Sequence, residues 1–177
     1  CMLAHIPDLI QAEISSFKIE GRMKSIHYVA TVTKAYRQAI DAYYHDPETY
    51  EFQHKWLEEV KKVSEREYTT GFYFENPDSQ AYNYSATKLP RPYNFVGLVL
   101  DYDEEKKLAL VEQRNRFVVG DFIEVLSPQG DNKNFTVTEM FDAEGQPISA
   151  APHPQQKVFL RTDFPLEPYS LLRTQND

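Results

Sequence analysis

The fold is decided by one stretch of nine residues, Phe17-Lys18-Ile19-Glu20-Gly21-Arg22-Met23-Lys24-Ser25. Polar and apolar side chains alternate over residues 16–19, which is the period of a strand. Gly21 interrupts this alternation, and Ser25 is a residue type that commonly caps the N-terminus of a helix. The stretch therefore predicts a strand over residues 16–20, then a tight turn, and then a helix that begins at Ile26.

A short helix is predicted immediately before this stretch. Over residues 2–12, three apolar residues at helical spacing form one face, and Pro7 is tolerated if it lies in the first turn. Helix, strand, turn and helix in this order form the repeat unit of an α/β barrel or a doubly wound sheet. Because one unit cannot bury both faces of its strand, we expect residues 1–46 to complete a domain whose remainder lies upstream in a longer protein.

The helix after Ser25 has apolar side chains at three- and four-residue steps, which predicts one buried stripe. Its members are Ile26, Val29, Ala30, Thr33, Tyr36, Ile40, Tyr43 and Tyr44. The opposite face carries the polar residues His27, Thr31, Lys34, Gln38 and Asp41. We therefore expect the first set of side chains to face the core.

Residues 47–91 are predicted to form a connector in two parts. A helical segment covers residues 47–64, with a weaker apolar stripe and alternating charges that indicate a solvated face. Residues 65–91 are rich in aromatic and turn-forming types. Interleaved aromatic rings can stack on nucleic-acid bases. Since Lys and Arg do not accompany them, packing of a long connection is the favoured interpretation.

From residue 92 onward the hydrophobic period changes to two. Short strands are predicted at Phe95–Leu100, Leu108–Val111, Phe122–Leu126, Asn134–Thr138, Val158–Leu160 and Tyr169–Leu172. Turn-forming residues separate these segments. Several short strands at this spacing predict a small closed antiparallel β-barrel over residues 92–177.

Composition narrows the class of protein. The net charge of −8 and the isoelectric point near 5.2 argue against a protein that binds nucleic acid nonspecifically over its whole surface. A local basic patch is compatible with these two values. The single cysteine, Cys1, excludes an internal disulfide framework and fits a reducing compartment. No apolar run approaches the roughly 20 residues that span a bilayer. We expect a cytoplasmic protein without a membrane partner; composition leaves open whether it forms a homo-oligomer.

The candidate site is the one place where charge runs against the acidic background. Arg22 and Lys24, near a helix N-terminus, would favour an anion such as phosphate or carboxylate. Glu20 beside these cations would stay ionised, which suits orientation of a substrate better than proton donation. The alternative is a structural ion pair that closes the turn. Lys18 and Lys34 extend the basic patch; His27 is either a substrate-binding residue or a packing histidine.

The sequence contains no motif typical of a zinc site, a serine nucleophile or a phosphate-binding loop. The histidines are scattered without a zinc-binding spacing, and neither a nucleophile-elbow serine nor a glycine-rich phosphate loop is present. Cys1 is the one candidate nucleophile for peptidase chemistry.

At these residues the sequence resembles a known family. The stretch Phe17–Ser25, followed by Tyr28-Val29-Ala30, Lys34-Ala35-Tyr36-Arg37 and Ala39-Ile40-Asp41, is similar to the signature of the U32, or collagenase-like, peptidase family. Within it, the similarity is greatest to bacterial proteins of tRNA 5-hydroxyuridine modification. Tyr68-Thr69-Thr70-Gly71-Phe72 and Val119-Gly120-Asp121 also resemble that group's C-terminal extension. The likeness is specific over about residues 1–75.

This resemblance implies an α+β protein in which residues 1–46 supply the last βα unit of an upstream TIM-like barrel. A helical segment and a small antiparallel β-barrel would follow. It also implies hydroxylation of wobble uridine in tRNA, with prephenate needed in the pathway. Related proteins hold a [4Fe-4S] cluster on four cysteines, so Cys1 is expected to be one ligand, with the other three upstream. The 177 residues alone are expected to hold no cluster.

Three functions follow as hypotheses. In the first, the chain is the C-terminal part of a tRNA-modifying enzyme, with Glu20, Arg22 and Lys24 as catalytic-site residues and Lys18, His27 and Lys34 as substrate-binding residues. The β-barrel would help to position RNA. The second is a collagenase-like peptidase, and the third is a non-catalytic interaction or assembly module. In each case we expect the isolated chain to be inactive.

Overall fold

The computed structural model describes residues 1–64, 68–74 and 93–176. The chain divides into two compact units, Cys1–Arg91 and Pro92–Asp177. The first unit is helical in its described part, and the second is an antiparallel β structure. The α+β class predicted from the sequence is confirmed. Residues 75–92, which hold most of the predicted aromatic-rich connector, lie outside the described residues.

The first unit consists of short helices around one long helix. A 3-10 turn at Leu3–His5 leads into α1 (Ile6–Gln11), which is followed by α2 (Ile26–His45) and α3 (His54–Lys61). Pro7 lies in the first turn of α1, as predicted. Ser25 is the N-cap of α2, because its Oγ accepts a hydrogen bond from the backbone N–H of Tyr28 at 3.2 Å.

The helical segment predicted over residues 47–64 is shorter in the structure. Asp46 Oδ1 accepts hydrogen bonds from the backbone N–H groups of Glu48 and Thr49, at 3.1 and 3.3 Å. A side chain that bonds to the following backbone in this way favours a turn over a helix. The helix α3 therefore begins only at His54.

Residues 16–20 belong to neither a helix nor a strand in the structure. A strand is defined by its hydrogen bonds to a neighbouring strand, and the described part of the first unit contains no second strand with which this stretch could pair. The strand, and the βα unit of a TIM-like barrel that depends on it, therefore stay predictions.

The buried stripe predicted for α2 was wrong at both ends of the helix, where Ile26, Val29 and Tyr44 are exposed. Ile26 and Val29 are 47% and 39% exposed, whereas the buried residues of α2 are His27, Thr31, Val32, Ala35 and Ala39. The core of the unit packs the last three of these against Leu3, Ile6, Trp56 and Val60. Small alanines allow close approach of the neighbouring chain, so the helix turns them inward and leaves larger apolar side chains outside.

The second unit is a seven-stranded antiparallel sheet with a separate two-stranded ladder. Its strands are β1 (Tyr93–Asp103), β2 (Leu108–Gln113), β3 (Phe117–Val118), β4 (Phe122–Leu126), β5 (Lys133–Thr136), β6 (Met140–Phe141), β7 (Ala150–Ala151), β8 (Lys157–Arg161) and β9 (Leu171–Gln175). The order in the large sheet is β5-β4-β9-β1-β2-β8-β6, and β3 pairs with β7. The six predicted strands are present, and the short β3, β6 and β7 were not predicted.

The closed barrel predicted for this unit is a half-barrel in the structure. Over the described residues the sheet ends at β5 and β6, which are edge strands and do not pair with each other. The pairing register of β1 shifts once against β2 and once against β9, and these irregularities curl the sheet. Next to one of these shifts, Gly97 lies so close to β2 that a Cβ atom added to it would be 2.6 Å from Val111 Cγ1. Phe117 of β3 and Ala151 of β7 are buried in the core of this unit, so the small ladder packs together with the large sheet.

One buried ion pair joins two central strands of the sheet. The register of β4 and β9 places Glu124 opposite Arg173, and their side chains meet with Oε1 and Nη2 2.6 Å apart. Asn132 also donates to Glu124 Oε1, at 3.0 Å. The guanidinium carbon of Arg173 lies 5.1 Å from the centre of the Tyr93 ring. Arg173 is completely buried, so its charge depends on these partners.

Within the described residues, no helix is long and apolar enough to cross a lipid bilayer.

Replacement of Arg173 tests this dependence. We expect Arg173→Ala to lower the free energy of unfolding by about 3–5 kcal/mol, because the Glu124 carboxylate, which is only 12% exposed, loses its cationic partner. The matched control is Arg161→Ala, which removes a solvent-exposed pair with Glu139 and should cost about 1 kcal/mol or less. Urea unfolding of both variants measures the difference, and equal losses would contradict the assignment.

Candidate functional site

The turn that precedes α2 is held by backbone hydrogen bonds and one carboxylate. The N–H of Lys24 donates to the carbonyl of Gly21 at 2.9 Å, and the N–H of Arg22 donates to Glu20 Oε1 at 2.9 Å. Gly21 lies so close to α2 that a Cβ atom added to it would be only 2.9 Å from Val29 Cγ2. The turn therefore packs closely on the first turns of α2. The sequence prediction of a tight turn at Gly21 is confirmed.

A cavity of about 500 Å³ lies beside this turn, within the first unit. One wall is a face of α2 formed by Tyr28, Val32 and Tyr36, which are spaced four residues apart and therefore lie one above the other. Residues 16–20, which belong to neither a helix nor a strand, form a second wall. The rest of the lining comes from Cys1, Met2, Leu9, Ile14, Val60, Tyr68 and Tyr73. We call this space the Glu20 cavity.

Two of the predicted charged residues line the Glu20 cavity, namely Lys18 and Glu20. Both are exposed, so they stand where the cavity meets solvent. The carboxylate of Glu20 caps the backbone of the turn through one oxygen, so its contact with Arg22 is to the main chain. The Lys24 ammonium lies 5.4 Å from the centre of the Tyr28 ring, which is a cation–π contact beside the lining.

The structure places the other predicted substrate-binding residues elsewhere on α2. His27 is 6% exposed, in the first turn of the helix, and Lys34 is half-buried two turns further on. At 3.6 residues per turn, these two positions share a face that points away from the face of Tyr28 and Tyr36. His27 and Lys34 therefore do not line the Glu20 cavity.

Four tyrosines contribute to the lining, and sequence reasoning missed their role. The hydroxyl of Tyr36 accepts a hydrogen bond from the backbone N–H of Met2 at 2.9 Å and lies 3.6 Å from Cys1 Sγ. The hydroxyl of Tyr68 donates to the carbonyl of Val60 at 3.1 Å. Burial raises the pKa of both hydroxyls above the ordinary value. The spacing of Tyr28 and Tyr36 was the available signal, whereas Tyr68 and Tyr73 are distant in sequence.

The Cys1 thiol is half-buried and lines the same cavity. Among the described residues, no group of three or more His, Cys, Asp or Glu side chains is placed to hold a metal ion. A [4Fe-4S] cluster is normally held by four thiolates, and this sequence contains one cysteine. Cys1 could therefore act only as one ligand beside others from outside this sequence.

Both parts of the chain match sequence models of one family. Residues 1–83 match Peptidase family U32, and residues 91–173 match the Peptidase family U32 C-terminal domain. The chain belongs to peptidase family U32. The two matched regions of this U32 chain meet close to the boundary between the two structural units at Arg91 and Pro92.

Several relatives of this U32 chain are named for tRNA hydroxylation. The tRNA hydroxylation protein P1 of Bacillus subtilis is 41% identical over 172 residues, which cover 97% of this chain and 41% of the relative. The tRNA hydroxylation protein P of Escherichia coli is 38% identical over 176 residues, which cover 96% of this chain and 37% of the relative. The chain thus spans about two fifths of the length of these two curated relatives.

A solved structure also matches. It is the crystal structure of the C-terminal domain of a Geobacillus thermoleovorans protein described as a U32 peptidase, with 40% sequence identity and a TM-score of 0.44. The match covers 46% of this chain and 99% of that domain.

Titration of the buried tyrosine gives a test of the lining. Because burial raises the pKa of Tyr36 above 10.0 in the folded protein, the unfolded chain loses this proton at lower pH. The protonated Tyr36 hydroxyl therefore contributes to the free energy of unfolding in full below about pH 10, and this contribution is lost as the pH rises through the pKa of the folded protein. We expect Tyr36→Phe to make the alkaline loss of stability shallower, as measured by urea unfolding between about pH 8 and 11.

The control for this prediction is Tyr44→Phe, since Tyr44 is 65% exposed on the same helix. It should leave the alkaline slope unchanged. Parallel slopes for wild type and Tyr36→Phe would show that the Tyr36 hydroxyl does not behave as a buried group.

Proposed function

We propose that this chain acts, as part of a longer protein, in the 5-hydroxylation of wobble uridine in tRNA. The observation that carries the proposal is the similarity along almost the whole chain to proteins named for tRNA hydroxylation in two bacteria. The Glu20 cavity supports the proposal, because its charged residues and tyrosine rings together suit a polar aromatic substrate. A tRNA substrate would place the protein in the cytoplasm.

The charged residues of the turn are proposed to bind and orient the tRNA. Glu20 and Lys18 offer a hydrogen-bond acceptor and a donor at the cavity. Arg22 and Lys24 are exposed, and both are suited to phosphate groups. His27 and Lys34 lie on another face of α2, so their proposed contacts would be to a more distant part of the tRNA.

An upstream TIM-like barrel is part of the same proposal. Residues 16–20 belong to neither a helix nor a strand and have no strand partner in the described part of this unit. Ile14, Ile19, Ile26 and Val29 around them are exposed large apolar residues. Exposed apolar side chains beside an unpaired stretch are typical of a surface that packs against further chain. This supports the proposal that residues 1–46 contribute the last βα unit of such a barrel.

Cys1 is proposed as one ligand of a [4Fe-4S] cluster, with three ligands from outside this sequence. Such a cluster would supply electron transfer or substrate binding when present. Within this chain, the Tyr36 hydroxyl lies 3.6 Å from the Cys1 sulfur. A hydroxyl at that position can donate a hydrogen bond to a thiolate and so hold its orientation.

The second unit is proposed to help position the RNA. Two of its cationic side chains lie over aromatic rings. The Arg114 guanidinium is 5.9 Å from the centre of the Phe95 ring. Lys133 Nζ is 5.0 Å from the centre of the Phe164 ring. Arginine and aromatic side chains together are a common surface for single-stranded RNA. The acidic balance of the chain favours a positioning role over strong independent binding.

A peptidase is the second candidate function, and the family description is the observation that favours it. Its nucleophile would be Cys1 or a group outside the described residues, and among the described residues no cluster of His, Cys, Asp or Glu is placed to hold a metal ion. Gelatin hydrolysis by the highly purified full-length protein, abolished by a point substitution, would support it.

The turn residues provide the main test. In cells that lack the gene, we expect 5-hydroxyuridine derivatives of tRNA to disappear and to return when the wild-type gene is restored. Glu20→Ala combined with Arg22→Ala should not restore them, because orientation and phosphate binding are both lost. Mass spectrometry of tRNA nucleosides makes the measurement.

The matched control is Glu51→Ala combined with Arg37→Ala, which removes exposed charges of the same types from the same unit. It should restore modification as the wild type does. Persistence of the nucleosides after deletion of the gene, and of any second gene of the same function, would contradict the proposed function.

A truncation tests the role of the second unit. If residues 92–177 position the RNA, their removal should lower the modification level strongly while the first unit remains present in cells. Nucleoside mass spectrometry and an immunoblot of the truncated protein together give the result. Full modification without these residues would instead favour an interaction or assembly role for the second unit.

A further inference from the structure

We propose that the Glu20 cavity is a pocket for one uracil base that has left the stack of an RNA loop. This inference rests on the proposed function and names the part of the tRNA that the cavity takes. Enzymes that act on a base need it out of the stack, where its edge and both faces can be reached.

The aromatic lining provides the stacking surface. Tyr36 and Tyr68 use their hydroxyls to bond the backbone of Met2 and Val60, so their rings are fixed as walls. Tyr73 also lines the cavity but is 63% exposed, so its ring is accessible to an incoming base. Stacking on aromatic side chains is the usual way in which proteins hold unstacked bases.

The cavity is large enough to admit this ligand. Its volume is about 500 Å³, within the range of roughly 300–1,000 Å³ that small-molecule pockets occupy. The lining is mixed, with tyrosine rings deep along α2 and two charged side chains at the solvent side. A base with an apolar face and a polar edge matches this division.

The polar edge of uracil matches the two charged residues. Lys18 and Glu20 both line the cavity, and both are exposed to solvent. Glu20 uses Oε1 for the turn, and an ionised carboxylate accepts further hydrogen bonds through its second oxygen. The second oxygen of Glu20 can accept a hydrogen bond from the N3–H of uracil, while the Lys18 ammonium donates one to a neighbouring carbonyl oxygen of the same base. A methyl group at N3 would remove that donor.

Cations at the rim would hold the flanking phosphates. The Lys24 ammonium is fixed over the Tyr28 ring, beside the lining, and Arg22 is exposed in the same turn. A base drawn into a pocket brings its two phosphates to the entrance, where Lys and Arg contacts fix the strand without reading its sequence.

The test uses the full-length protein and an anticodon stem-loop RNA that carries 5-iodouridine at the wobble position. After irradiation, we expect mass spectrometry to find the crosslink on the peptide that contains Tyr73 or on that of Tyr28. Tyr73→Ala should lower the yield, and Tyr44→Ala, which alters an exposed tyrosine outside the cavity lining, should leave it unchanged.

Binding of the unmodified stem-loop gives a second readout. Relative to uridine at the wobble position, an abasic residue should weaken binding to the wild type by about 5- to 150-fold, the affinity equivalent of stacking one base. An N3-methyluridine should also bind more weakly. In Tyr73→Ala the difference between uridine and abasic RNA should largely vanish, and Tyr73→Phe should preserve it.

The outcomes separate this inference from the proposed function. Binding of the stem-loop with equal affinity for uridine and abasic RNA, or with crosslinks confined to other residues, would overturn the base pocket and leave the tRNA proposal standing. Failure of the full-length protein to bind the stem-loop at all would overturn both.

Discussion

The arrangement of the first unit depends on the close packing of two alanines. Ala35 and Ala39 are fully buried on α2, against a core that includes Leu3, Trp56 and Val60. This contact fixes the rotation of α2 about its axis, because a helix can present only one face to a given neighbour. With that rotation set, Tyr28 and Tyr36 face the Glu20 cavity, and Ile26 and Val29 face outward. The position of the site thus follows from small side chains that carry no chemistry.

The capping and turn signals around Gly21 and Ser25 predicted the structure correctly, whereas patterns that depend on distant partners did not. The cap at Ser25 and the turn at Gly21 are properties of a few adjacent residues, and both were predicted. The inward face of α2 was predicted wrongly because hydrophobic periodicity gives alanine little weight, although alanine allows the closest packing. The open edges of the sheet were also missed, because alternation along each strand does not show which strands pair. The aromatic cavity combines residues about forty positions apart, which periodicity does not reveal.

Membership of the U32 family extends over both structural units, but the proposed chemistry is concentrated in the first. There, one carboxylate oxygen of Glu20 closes the turn, and the same side chain lines the Glu20 cavity. A group that stabilises its own backbone is held in place before any ligand arrives, which lowers the entropy cost of binding. The residues proposed to bind RNA are therefore positioned by the same contacts that form the turn.

The strand order of the second unit has a consequence for its synthesis. The strand β9 (Leu171–Gln175) lies between β1 and β4, so it joins the β1-β2-β8-β6 part of the sheet to the β4–β5 hairpin. These two parts have no direct pairing with each other among the described strands. The ribosome makes the chain from its N-terminus, so the sheet cannot be completed until residues 171–175 have emerged. Such long-range pairing slows folding and leaves strand edges open in the nascent chain.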